Sequence, residues 1–118
     1  MTKGQAIHNF FNSFGVKAYP ITSLPKDVTF PYMTYEPAIA GRGKSVNSTV
    51  NLWDYSASEA DINAKANEIQ QAIAGGASIQ CSDGAIYAYI DAWSPITNEN
   101  DTAIKGRTAN ITLTLNTL

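Results

Sequence analysis

The chain has 118 residues, with eight Lys and Arg against ten Asp and Glu, so charged residues make up only 15% of it. A net charge of −2 offers no cluster of cations to neutralise phosphates, which sets nucleic-acid binding aside as its main task. One cysteine excludes an internal disulfide, and no apolar run approaches the roughly 20 residues of a membrane-spanning helix. Met-Thr-Lys-Gly-Gln-Ala at the amino terminus lacks a signal-peptide core, so the expectation is synthesis in the cytoplasm and no membrane partner. Apolar content of 44% and this length fit a single domain, 1–118, built on one core.

From Thr2 to Phe14, Ile7, Phe10, Phe11 and Phe14 recur at helical spacing, and Gly15 stops the helix. Val16 to Tyr19 reads as a brief edge strand, because Pro20 cannot donate to a ladder. Ser23 to Asp27 is turn chemistry, and Phe30 to Tyr35 is a strand around Pro31. After a loop containing Pro37, Gly41 and Gly43, Val46 to Trp53 alternates. Ser48, Val50 and Leu52 share one face; Thr49, Asn51 and Trp53 share the other.

There the period switches. Ile62, Ala66, Ile69 and Ile73 form one helical stripe, with Glu59, Asp61, Lys65 and Glu68 off it and Gly75-Gly76 as the stop. Ser56 and Glu59 have the spacing of a reciprocal cap at the helix start. Ser78 to Cys81 and Ala85 to Trp93 flank Ser82-Asp83-Gly84 and predict a hairpin. Ser94 to Thr102 reads as a polar loop. In the last stretch Ala109, Ile111, Leu113 and Leu115 alternate with Thr108, Asn110, Thr112 and Thr114, leaving a polar, Thr-rich face along Arg107 to Thr114. The order predicts an α+β fold, a mostly antiparallel sheet with two helices packed on one face.

No constellation meets the demands of catalysis. Gly43-Lys44-Ser45 fits a relaxed phosphate-loop pattern, but a strand follows it where phosphate capture needs a helix amino terminus. His8, the only histidine, has no second histidine with which to build a zinc site. Cys81 has neither base nor cation beside it in sequence. Asp91, Glu99 and Asp101 lack the alternate spacing of a calcium loop. No cofactor or metal is therefore expected. Trp53, Tyr55, Tyr87, Tyr89 and Trp93 sit on strands as core or interface aromatics, since base stacking would need a basic groove.

Leu52-Trp-Asp-Tyr-Ser-Ala-Ser-Glu-Ala60 and the helix after it resemble the small tail-terminator and minor tail proteins of long-tailed bacteriophages. Phe30-Pro-Tyr-Met-Thr-Tyr35 is similar to their Pro-Tyr strand, and the order of hairpin, polar segment and alternating final strand agrees over most of the chain. The resemblance implies a virion structural protein that assembles with itself as a ring, usually of six, on the end of the tail tube. Its implied partners are the tube protein and the head-completion or connector proteins; it implies no catalytic residue. Each subunit would present its open sheet face or an edge strand to the next. Arg42, Lys44, Asn98 and Asn100, in the two long irregular segments, are the candidate docking residues, and Trp53, Tyr87, Tyr89 and Trp93 the candidate interface or core aromatics. Two alternatives stand beside this: another neck or head-closure subunit, or a small nucleotide binder using Gly43-Lys44-Ser45.

Overall fold

A computed structural model describes residues 2–38, 43–73, 76–82, 84–97 and 101–117. Helix α1 (Lys3–Phe11) runs into a short 3-10 turn (Asn12–Phe14), followed by strands β1 (Lys17–Pro20), β2 (Tyr32–Tyr35) and β3 (Ser45–Tyr55). Helix α2 (Ala60–Ile73) precedes β4 (Ala77–Cys81), β5 (Gly84–Thr97) and β6 (Ile104–Thr117). All six strands join one curled sheet in the order β1-β2-β3-β6-β5-β4. The α+β class is as expected, but the sheet is mixed, because β1 pairs with β2 in parallel.

Both helices begin and end where their chemistry dictates, with one correction. At α1, Thr2 and Gln5 cap reciprocally: the Gln5 amide donates to Thr2 Oγ1 at 3.2 Å and the Thr2 amide to Gln5 Oε1 at 3.0 Å. Gly15 ends this segment at φ +84°, a left-handed conformation glycine adopts without strain. At α2 the expected Ser56–Glu59 box does not form. Ser56 Oγ accepts from the Ser58 amide and Ser58 Oγ from the Ala60 amide, while the Glu59 carboxylate lies 3.4 Å from Arg107.

The core is the concave side of the sheet. Val50, Leu52, Ile86, Ile90, Ile111, Leu113 and Leu115 meet Ile62, Ile69 and Ile73 of α2, all of them buried as the alternation and the stripe require. Each such side chain contributes about 1.5–3 kcal/mol of burial. Helix α2 packs on β3, β5 and β6, whereas α1 packs against β1 and β4, the two outermost strands. Thus α1 sits between the sheet's two ends.

One strand limit and one face assignment are corrected. β5 continues through Ser94 and Pro95 to Thr97, where a polar loop was expected. β4 reaches only as far as Ala88 of β5, so beyond it β5 is an edge on which Pro95 needs no partner for its missing N–H. Arg107 does not belong to the polar face: it pairs across from Leu52 and is buried, 7% exposed.

Candidate assembly interface

Several edges of the sheet are blunted. On β1, the carboxamide of Asn12 mimics a neighbouring strand: the Ala18 amide donates to Oδ1 at 3.0 Å and Nδ2 donates to the Ala18 carbonyl at 3.2 Å. Two residues on, Pro20 has no N–H to offer. On the late part of β5, the register slips between Ile90 and Trp93, forming a bulge. There Gln70 Nε2 donates to the carbonyls of Ile90 and Asp91 at 3.4 and 3.2 Å. Helix α1 lies against β4. Such devices discourage strand addition.

The convex face is different. Its rows follow the register: Ser78, Tyr87, Thr114 and Ser45 cross the sheet in one line, Tyr89, Thr112 and Asn47 in the next, then Asn110 with Thr49. The polar members bond to one another, Ser45 Oγ to Thr114 Oγ1 at 2.7 Å and Thr112 Oγ1 to Asn47 Oδ1 at 3.1 Å. Apart from Asp91, exposed at the β5 bulge opposite Asn110, no outward position on β3, β4, β5 or β6 among the described residues carries a charge; Lys17 and Glu36 stand at the rim. Tyr87 and Tyr89 are each 51% exposed. An uncharged, tyrosine-bearing centre with a charged rim is the anatomy of a protein–protein interface.

Toward the other end of this face an aromatic group assembles. Phe30 lies 5.3 Å from Tyr32 and 5.9 Å from Tyr55 between ring centroids, and Tyr19 packs edge-on to Tyr32. Burial raises the Tyr32 phenol above its ordinary pKa. Trp53 lies across Gly106 against Ile96, leaving no room there for a side chain: a Cβ at Gly106 would come within 2.6 Å of both.

The four expected aromatics therefore do not form one cluster. Trp53, Tyr87 and Tyr89 are convex, whereas Trp93, beyond the bulge and opposite Ala109, turns inward to line a cleft with α2. Arg107 reaches the same cleft. Its Nε and Nη2 donate to Asn63 Oδ1 at 3.2 and 2.6 Å, and Nη1 donates to the Gly106 carbonyl at 2.8 Å. Sequence reasoning missed this latch between β6 and α2, although Arg107 shares the parity of Ala109 and Ile111.

Of the candidate docking residues, Lys44 is exposed, but its backbone prolongs the β3–β6 ladder, accepting from the Leu115 amide while the Gly43 amide donates to the Leu115 carbonyl. A strand follows, so Gly43-Lys44-Ser45 does not open a helix. Arg42, Asn98 and Asn100 lie outside the described residues, as does Glu99. Asp101 holds its own turn, Oδ1 accepting from the Ala103 amide at 3.0 Å. Cys81 Sγ lies 3.4 Å from the Gly84 carbonyl. His8 Nδ1 and the Tyr35 hydroxyl are hydrogen-bonded at 2.8 Å, joining α1 to β2, and burial raises the Tyr35 phenol. No group of three metal-ligating side chains converges among the described residues.

No protein-family model matches the chain, and no curated protein sequence or solved structure matches it either.

Proposed function

We propose that the chain is a structural subunit of a long-tailed bacteriophage virion, a tail terminator that assembles as a ring on the tail tube and joins it to the head-completion proteins. The observation that carries this reading is the charge-poor, Tyr- and Thr-bearing convex face on a sheet whose β1 edge and late β5 edge are blunted. Such a subunit associates through a surface and not by strand exchange. The motif order from Phe30-Pro-Tyr to Ser-Ala-Ser-Glu-Ala supplies the phage context. The hydroxyl and amide groups of the face both donate and accept, so copies of the chain suit one another without opposite charges. Ring closure then hides the faces that would otherwise aggregate.

The test is genetic and visual. A phage lacking this gene makes tails of abnormal length, or tails that fail to join filled heads, in electron micrographs. Normal virions from the deletion strain would end the reading. A head-closure role gives tails of correct length beside unjoined heads, which separates the neck alternative.

A further inference from the structure

Two half-exposed aromatics at the centre of the convex face, Tyr87 and Tyr89, have a counterpart elsewhere on the same molecule. Between α1 and the β1–β2 pair runs an open groove of 660 Å³, walled by Pro20, Tyr35 and Pro37 and rimmed by Gln5, His8 and Asn9. A closed cavity of roughly 150 Å³ already accepts a benzene ring, so this groove has room for two phenols. Like the tyrosine strip, its lining carries no Lys, Arg, Asp or Glu. Its rim carboxamides can bond phenolic hydroxyls, and its proline and tyrosine walls offer flat apolar contact.

We propose that copies of this chain associate head to tail, Tyr87 and Tyr89 of one copy entering the α1/β1–β2 groove of the next. The inference rests on the ring-subunit reading and specifies its contact. Tyrosines and groove are different patches, so the contact is heterologous, the type that generates rings when the rotation closes. A self-paired convex face would stop at two copies. Two half-exposed tyrosines supply roughly 200 Å² of anchor area. The surrounding strip, about ten residues long and three strands wide at ~3.3 and ~4.8 Å spacing, brings the face to the order of 500 Å² in plan.

Complementary defects test the contact. Tyr87→Ser/Tyr89→Ser removes the anchors from exposed positions. Gly4→Gln fills the groove: a Cβ at Gly4 meets nothing within 4 Å and the substitution favours the helix, and an unchanged circular-dichroism melt separates lost assembly from lost folding. In sedimentation velocity at about 100 μM, wild type forms species larger than a dimer and each variant alone is a monomer. Their equimolar mixture yields a particle of twice the monomer mass and nothing larger, because only one productive contact remains. Wild type monomeric at that concentration, either variant assembling like wild type, or a mixture that stays monomeric would each overturn the contact. If the mixture dimerises while wild type grows open filaments, the contact stands and only the closed-ring reading falls.

Discussion

The concave and convex sides of this sheet follow opposite rules. On the concave side most inward positions of the central strands are apolar or latched, with Asp54 and Lys105 paired only at the far end: Ile111 and Leu113 are buried against α2, and even Arg107 is fixed by Asn63 and the Gly106 carbonyl. On the convex side tyrosines stand half-exposed among Thr, Ser and Asn with no charge between them. A face made only to meet water would carry Lys and Glu, the commonest means of keeping a sheet soluble. The contrast separates a side built for stability from the side that the proposal above assigns to contact.

Substitutions that move stability on one side and association on the other sharpen the contrast. Ile111→Ala, at the centre of the concave core, should destabilise by about 2–5 kcal/mol in urea unfolding, enough to threaten the fold. Gly106→Ala is the exception that tests the aromatic end of the convex face. Its Cβ would collide with Trp53 and Ile96, so a loss of about 1–3 kcal/mol is expected. Measured neutrality would mean that Trp53 is not held across that glycine.

Asn12→Ala removes the false strand from the edge of β1. About 1–2 kcal/mol should be lost, and thioflavin-positive aggregation should rise, because Ala18 then presents open backbone groups. The smallest effect is alkaline. Tyr32 and Tyr35 hold their protons in the fold beyond the pH at which the unfolded chain releases them. Their contribution to stability is therefore constant below about pH 10 and falls above it, where the unfolded state binds fewer protons. Tyr35→Phe should shallow that fall in pH-dependent melts.

Much of this contrast is legible in the sequence, because alternation and helical stripes are local. The parity of Ser48, Val50 and Leu52, the stripe from Ile62 to Ile73 and the alternation from Thr108 to Leu115 all reappear as burial. What escapes sequence reading is non-local. The bulge after Ile90 shifts the inward parity from even to odd positions, which hides β5 beyond that point and disguises Trp93. The parallel pairing of β1 with β2 and the seat of α1 between the sheet's ends depend on contacts with no short-range pattern. The Asn12 edge cap is equally invisible until β1 is placed beside it.

A charge placed in the middle of the convex face tests the central claim most directly. Thr112 is half-buried and lies between Asn47 and Tyr89, so Thr112→Lys should change folding stability by no more than about 0.5 kcal/mol. Native mass spectrometry of wild type should show one closed oligomer, and of the lysine variant only the folded monomer. A lysine variant that assembles as wild type does, with the same mass and the same dilution behaviour, would contradict the assignment of this face to assembly.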